Sequence, residues 1–227
     1  MYIPVTKRKR NTKYGNNIWF RYSSKINRNV YFYSDLEYDH WLLIEINRSI
    51  IDFCEQPLHV KEYVGEKYVN TIFDMWTKSL NNKELFIEVK YAAELDPNSK
   101  DFSLRSYNQV QSQQLWCEAN GYHYEIHTDQ WIYSNRLYIK NLRKILPYID
   151  KRKPRNEVCA QKLLHFVSNS GTKTIDTLEK AFIEMSKHQV RELICNLLYD
   201  GLLKSNIESC EFGTYMEVWI DESQSLH

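Results

Sequence analysis

Three charged side chains in one short stretch have the types and spacing needed for joint chemistry. Asp74 interrupts the apolar run 72–76, and Glu88 and Lys90 lie at the end of the apolar segment 85–90. Residues i and i+2 of a strand point to the same side, so Glu88 and Lys90 can share one pocket. A hairpin between the two segments would bring Asp74 beside them. Carboxylates hold divalent cations, and an ammonium group supports the charge that develops when water attacks a phosphodiester.

A fourth residue, Glu37, lies on a predicted helix and would close this site, and the backbone carbonyl of Val89 would add an oxygen ligand. Each of these features also has an ordinary structural explanation. An acid-x-lysine pair on a strand is usually a surface ion pair, and Glu37 fits a capping box that begins at Ser34. However, a charged residue such as Asp74 inside an apolar run costs free energy unless it serves a site.

Apolar periodicity predicts the elements that position these residues. The predicted helices are 35–47, 106–120 and 135–147, and the predicted strands are 50–55, 59–64, 68–78, 85–91 and 122–127. Gly121 is the expected C-terminal cap of the second helix. Strands in a meander, followed by a helix and a returning strand, predict an α/β fold with a mixed sheet flanked by helices.

The stretch 150–155 is basic and contains Pro154, which predicts a boundary between a domain of residues 1–150 and a second domain of residues 151–227. The second domain has the pattern of three helices and two short strands around a turn at Gly213. The helices are 158–169, 177–185 and 190–200, and the strands are 202–207 and 215–220. This order is typical of a winged helix-turn-helix, although a generic small helical domain has a similar pattern.

The composition is that of a globular protein, with 43% hydrophobic residues and a net charge of +1. The overall charge does not indicate a nucleic-acid ligand, although basic residues cluster within 7–28 and 140–155. Five widely spaced cysteines without a Cys-x-x-Cys pair favour reduced thiols and a cytoplasmic location. No apolar run of about 18 residues occurs, so we expect neither a transmembrane segment nor a membrane partner.

Four ordered motifs resemble a known protein family. They are Ser-Asp-Leu-Glu at 34–37, IDFCEQPL at 51–58, Phe-Asp at 73–74 and FIEVKYAA at 86–93, and the segment 114–130 continues the likeness. Together they resemble the TnsA family of transposon end-cleaving endonucleases, in the PD-(D/E)xK restriction-endonuclease-like superfamily. The resemblance covers most of residues 1–150. Phe73 stands where the superfamily usually has proline, and Glu88 stands where the best-known TnsA protein has glutamine.

The resemblance implies a restriction-endonuclease-like catalytic domain followed by a winged-helix-like domain. It implies that Glu37, Asp74, Glu88 and Lys90 are catalytic. The three acids would bind Mg²⁺, for which Mn²⁺ would substitute, with the Val89 carbonyl as a further ligand, and Lys90 would position the water. The implied activity is cleavage of the non-transferred DNA strand at transposon ends, in a complex with a TnsB-like transposase and a TnsC-like AAA+ ATPase.

Two other functions stay open: a stand-alone restriction or repair nuclease on the same fold, and a DNA-binding or assembly adaptor whose nuclease fold is silent. A zinc site at His123, Glu125 and His127 is disfavoured, because their neighbours predict a strand and a zinc protease motif needs a helix. The predicted helix 106–120 carries several glutamines, interpreted as a solvated polar face in preference to a contact with the DNA backbone. These are Gln109, Gln111, Gln113 and Gln114.

Overall fold

The structure is a computed structural model of the 227-residue chain, and it describes residues 2–5, 17–149 and 155–220. The chain divides into two compact units, Met1–Ser134 and Asn135–His227. This division falls before the predicted boundary at 150–155, of which the structure describes Arg155 alone. The predicted helix 135–147 therefore belongs to the second unit and not to the first.

The first unit is mixed α/β, with a mixed sheet flanked by helices, as the sequence predicts. Its described elements are β1 (Trp19–Ser23), β2 (Arg28–Phe32), α1 (Asp35–Ile46), β3 (Ile50–Glu55), β4 (His59–Val64), β5 (Lys67–Ile72), β6 (Met75–Ser79), β7 (Glu84–Lys90), α2 (Ala92–Leu95), α3 (Leu104–Asn120), β8 (His123–Thr128) and α4 (Asp129–Ile132). The hairpin β1–β2 and the short helices α2 and α4 were not predicted.

The central sheet has the strand order β3-β6-β7-β8. The pairs β3–β6 and β6–β7 are antiparallel, whereas β8 runs parallel to β7. The predicted turn between β6 and β7 is confirmed, and Asn82 adopts φ 60°, a left-handed conformation that asparagine tolerates. Met75, the first residue of β6, pairs with Ile87, so Asp74 lies just before the ladder, close to the Glu88 end of β7.

The single strand predicted at 68–78 is wrong, because the chain breaks at Phe73 and Asp74. β5 pairs with β4 in a separate two-stranded ribbon, whereas β6 joins the central sheet. The ring of Phe73 is fully buried, and the backbone carbonyl of Asp74 accepts a hydrogen bond from the Gln56 amide at 2.9 Å. The break moves Asp74 out of the ladder, so that its side chain lies at the end of β6.

Local signals predict the start of α1 and the end of α3 correctly, whereas α3 begins at Leu104, two residues before its predicted start. Ser34 caps α1 by accepting a hydrogen bond from the Glu37 amide at 3.1 Å. Gly121 ends α3 with φ 72°, and its amide donates to the carbonyl of Cys117. The buried stripe of α3 packs on the sheet through Trp116, whose ring lies 5.9 Å from that of Phe86. These helices thereby fix the ends of the elements from which the predicted site residues project.

The hairpin β1–β2 is anchored to the elements that carry the site. Glu45, near the end of α1, is 1% exposed and accepts from the Ser23 hydroxyl at 2.6 Å. Arg28 of β2 donates two hydrogen bonds to the buried Glu55 of β3, at 2.8 and 2.6 Å. A two-pronged guanidinium–carboxylate pair with one buried partner holds a specific geometry. The hairpin is thus bonded to both α1 and β3.

The second unit contains the three predicted helices. Its described elements are α5 (Arg136–Ile145), a short 3-10 helix (Leu146–Tyr148), α6 (Glu157–Ser170), β9 (Lys173–Thr174), α7 (Ile175–Ala181), α8 (Lys187–Tyr199), β10 (Lys204–Ser205) and β11 (Glu217–Trp219). The two predicted C-terminal strands are confirmed in shortened form. They belong to a three-stranded antiparallel sheet of order β10-β11-β9, whose third strand was not predicted.

Asn141 explains why α5 belongs to the second unit. Its side chain is fully buried and donates to the carbonyls of Ile207 and Cys210 at 2.7 and 2.8 Å. Its carbonyl oxygen accepts from the Phe212 amide at 2.8 Å. Buried polar groups cost free energy unless they are hydrogen-bonded, so these three bonds fix α5 against the segment before β11.

All five cysteines are free thiols. Two of them, Cys54 and Cys117, belong to the apolar core cluster that also contains Phe73 and Trp116. Within the described residues, no helix combines the length and the apolar character that crossing a membrane requires.

Candidate active site

A cleft of about 1080 Å³ brings most of the predicted site residues together. Glu37, Asp74, Val89 and Lys90 all line it. Glu88 does not, because it is fully buried. It lies instead behind the cleft wall, where its carboxylate contacts the Lys90 ammonium group. The structure therefore gathers the predicted residues in one place, with one acid beneath the surface that the other residues form.

Glu88 has hydrogen-bond donors at both carboxylate oxygens. Its Oε1 lies 2.6 Å from Nζ of Lys90 and 2.7 Å from Nε2 of Gln109. Its Oε2 accepts from Nε2 of Gln113, also at 2.7 Å. The contact with Lys90 confirms that the two side chains share one face of β7. It also shows that this acid-x-lysine pair is not a surface ion pair, since the acid is 0% exposed.

Glu37 is held at the start of α1 by the residues before the helix. Its Oε2 accepts from the Tyr33 amide at 3.2 Å, and its Oε1 accepts from the Ser34 hydroxyl at 3.1 Å. A capping box would instead direct the side chain to the Ser34 amide, so the cap is present in a modified form. Glu37 thus has the structural role that the helix pattern predicts and also lines the cleft.

Asp74 joins the two strands that border the cleft. Its Oδ2 accepts from the backbone amide of Val89 at 2.9 Å. Val89 itself is 6% exposed and lies in the sheet between Glu88 and Lys90. A side chain that accepts a backbone hydrogen bond across a strand pair has a fixed position, so the Asp74 carboxylate is held in place before any ligand binds.

The carboxyl groups of the site repel one another. Burial, reinforced by the charge of Asp74, raises the pKa of Glu37 to about 7. Burial and the same aspartate raise the pKa of Glu88 to about 8. Burial alone would lower the pKa of Lys90, but the charges of Glu88 and Asp74 raise it above its usual value. Lys90 therefore stays charged, while two acids are driven towards their protonated forms.

Two features of these side chains suit a divalent cation: the donor atoms are carboxylate oxygens, and the net charge of the group is negative. Three carboxylates face one ammonium group, and hard oxygen donors are the ligands that Mg²⁺ prefers. The geometry is not preassembled: across residues 17–149 and the other described segments, no three acidic, histidine or cysteine side chains are grouped closely enough to hold a metal ion. In addition, the oxygens of Glu88 are occupied by three donors, from Lys90, Gln109 and Gln113.

The sequence predicts that Gln109, Gln111, Gln113 and Gln114 form a solvated helix face, and this prediction is wrong for Gln113. Gln113 is fully buried and Gln109 is partly buried, whereas Gln111 and Gln114 are exposed. The sequence holds one signal that would have found Gln113. It lies in the buried stripe of α3 formed by Ser106, Val110, Gln113 and Cys117, where a polar residue needs a partner.

The histidines of the segment 123–127 lie on β8, which confirms the predicted strand. His127 is almost fully buried and bonds to His40 of α1 at 2.8 Å between ring nitrogens. Its other ring nitrogen lies 3.0 Å from the Glu125 carboxylate. Burial lowers the pKa of His40 to about 3 and also lowers that of His127, which keeps both rings neutral at physiological pH. The pair connects α1 to the sheet.

No protein-family model matches the sequence, and no curated protein matches it significantly.

Proposed function

We propose that the protein is a cytoplasmic, Mg²⁺-dependent DNA endonuclease that cleaves the non-transferred strand at transposon ends, within a complex of several proteins. The observation that carries the proposal is the convergence of Glu37, Asp74 and Lys90 on one cleft, with Glu88 directly behind Lys90. Three separate segments of the chain supply these groups. An excess of buried negative charge next to a fixed ammonium group costs stability, and such groups are concentrated at functional sites.

Each side chain has a role that follows from its position. Glu37, Asp74 and Glu88 would hold Mg²⁺, together with the backbone of Val89. The cation would polarise the phosphate and lower the pKa of the attacking water. Lys90 lies at the cleft surface with its ammonium group anchored by Glu88, so it can orient that water and balance the charge on the phosphate. Asp74 is already fixed by the Val89 amide, so it needs no rearrangement.

The walls of the cleft suit an extended polyanion. One wall is formed by exposed side chains of the β4–β5 ribbon, His59, Tyr68 and Asn70, and another by Arg105 and Asn108 of α3. These side chains offer hydrogen-bond donors, an aromatic ring and a positive charge, which are the groups that contact phosphates and sugars. Contacts with phosphates and sugars do not distinguish one base sequence from another, so the recognition of transposon ends would depend on other parts of the complex.

The finer fold assignments are part of the same proposal. A mixed sheet that carries an aspartate, an acid-x-lysine strand and a preceding glutamate helix is the arrangement expected of a restriction-endonuclease-like domain. The order helix, short strand, two helices and two strands supports a winged-helix-like second unit. Through the resemblance to TnsA, we propose DNA, a TnsB-like transposase and a TnsC-like AAA+ ATPase as its partners.

The test is strand cleavage in a reconstituted transposition reaction with labelled transposon ends. Asp74→Asn keeps the shape of the side chain and removes its charge, so we expect cleavage to fall at least about 10²-fold. Asp101→Asn is the matched control, because Asp101 is exposed and lies outside the cleft. Cleavage by Asp74→Asn at the rate of the control would remove Asp74 from the mechanism.

A DNA-binding or assembly adaptor is the second candidate, and one observation favours it. The Glu88 carboxylate is fully occupied by protein donors, as expected if this site no longer bound a cation. Calorimetry with Mg²⁺ on the wild type and on Asp74→Asn separates the two functions, since a silent site predicts no difference. Plasmid nicking by the purified chain alone, with Mg²⁺, would instead indicate a stand-alone nuclease.

A further inference from the structure

The two oxygens of the Glu88 carboxylate have different surroundings. Oε1 faces Lys90 and Gln109, both of which line the cleft. Oε2 faces Gln113, which is fully buried and does not line the cleft. A ligand in the cleft can therefore approach Oε1 without displacing any group of the interior, whereas Oε2 is reached only through the core.

The amide of Gln113 is fixed in one orientation. Its Oε1 accepts a hydrogen bond from the Tyr124 hydroxyl at 2.7 Å. Its Nε2 lies 3.0 Å from Oγ1 of Thr71 and 3.3 Å from the carbonyl of Ile72, besides its contact with Glu88. A flipped amide would set its oxygen against two acceptors in a buried site, the Ile72 carbonyl and the Glu88 carboxylate, which is costly. Gln113 therefore offers Glu88 a permanent donor.

Gln109 differs from Gln113 in its freedom to move. Its side chain is partly exposed at the cleft wall, one turn before Gln113 on α3. Its amide donates to the same oxygen that Lys90 contacts. If a cation takes up a position at this oxygen, Gln109 can swing into the cleft, where water replaces its lost partner.

We propose that Gln113 is a positioning residue that holds Oε2 of Glu88 in the interior, whereas Gln109 is the donor that a divalent cation displaces from Oε1. The inference rests on the proposed function, since it assumes a cation in the cleft. It predicts that removing the side-chain amides of these two glutamines changes the cation affinity in opposite directions. A hydrogen bond made only in the free state opposes binding, so its loss tightens binding, whereas loss of a bond kept in both states frees the ligand group and weakens binding.

The experiment measures Mn²⁺ affinity of the full-length protein without DNA, by calorimetry and by the electron paramagnetic resonance of free Mn²⁺. Gln113→Met should weaken binding at least about fivefold, and Gln109→Met should tighten it about two- to fivefold. Gln114→Met is the control on the same helix, because Gln114 is exposed and bonds to Glu118. Its affinity should equal that of the wild type. A purely structural role would not produce opposite shifts in affinity.

Tyr124→Phe keeps the test decisive if Gln113→Met does not fold. It removes the hydroxyl that orients the Gln113 amide and leaves the amide in place, so it should weaken Mn²⁺ binding by a smaller factor in the same direction. Equal weakening by the two methionine variants, or wild-type affinity in Gln113→Met, overturns the positioning inference and leaves the nuclease proposal standing. A wild-type protein that binds no Mn²⁺ overturns both.

Discussion

Acidic side chains have different electrostatic surroundings at the cleft of the first unit and at the helix α8 of the second unit. At the cleft, Glu37, Asp74 and the buried Glu88 behind its wall face the ammonium group of Lys90, and Glu37 and Glu88 have raised pKa values. On the second unit, the buried Glu179 of α7 is paired with Arg191 of α8 at 2.6 Å. Like charges held close together raise the free energy of the folded state, so the excess of acidic groups at the cleft is the arrangement expected of a functional site.

The two regions also differ in exposure. The cleft is open and lined by polar groups, whereas α8 is covered on all sides over much of its length. The five consecutive residues 193–197 are buried, and at 3.6 residues per turn they face every direction around the helix. Exposed residues of α8 are limited to its first turn, Lys187, His188 and Gln189. The second unit is therefore organised around this helix as a core element.

The largest expected effect is on activity in the cleft. Lys90→Met removes the fixed positive charge and leaves the carboxylates facing the phosphate, so we expect strand cleavage to fall about 10³-fold. The measurement is the initial rate of end cleavage in the reconstituted reaction. Lys100→Met, an exposed lysine beyond α2, should react as the wild type does. A wild-type rate for Lys90→Met would remove the ammonium group of Lys90 from the mechanism.

The next effect is on stability in the second unit. Ile194 is fully buried on α8, so Ile194→Ala leaves a cavity and should lower the free energy of unfolding by about 3 kcal/mol. Urea denaturation followed by circular dichroism measures this loss. Ile183→Ala is the control, because Ile183 is 84% exposed and its truncation should cost little. If Ile194→Ala costs less than about 1 kcal/mol, α8 is not the core element that its burial indicates.

A pH titration of stability tests the charge excess without DNA. The pKa values of Glu37 and Glu88 in the folded protein, about 7 and about 8, lie above the ordinary value of 4.5. The folded state therefore binds more protons than the unfolded state between pH 4.5 and 8, and stability falls as pH rises through this window. The loss should reach about 1–3 kcal/mol in EDTA.

The variant Glu88→Gln measures how much of this pH-dependent loss of stability Glu88 causes. Because glutamine does not titrate, the stability of the variant relative to the wild type should rise steadily from pH 5 to pH 8. Glu118→Gln, on the exposed face of α3, should show no such trend. A constant difference between Glu88→Gln and the wild type would mean that Glu88 is ionised throughout this range, with Lys90 and the glutamines compensating its burial.

Local signals were enough to predict much of the first unit. The cap at Ser34, the left-handed Gly121 and the alternation along β7 depend on neighbouring residues, and the structure agrees with each of them. The break at Phe73–Asp74 could not be predicted in this way. The pattern of 68–78 favours one strand, and the break is determined by hydrogen bonds to Gln56 and Val89, which are distant in sequence.

The same distinction applies to the site and to the second unit. Glu37, Asp74 and Lys90 were predicted to converge, and they line one cleft. The burial of Glu88 and its contact with Gln113 were not predicted, because they depend on how α3 packs against β7. The strand β9 was missed for another reason: two residues are too few to show any periodicity, and their pairing with β11 is set by the fold.

The smallest expected effect is on the first turn of α8. Lys187 is 76% exposed at its side chain and lies 3.7 Å from Glu179, which already has Arg191 as a closer partner. Lys187→Ala should therefore change the free energy of unfolding by no more than about 0.5 kcal/mol. If the second unit contacts DNA through α8, we expect the contact at this turn, because it holds the exposed residues of the helix. The same variant should then weaken DNA binding for all sequences and lower the dependence of log affinity on log salt by about one unit. Unchanged DNA affinity and salt dependence would exclude Lys187 as a phosphate contact.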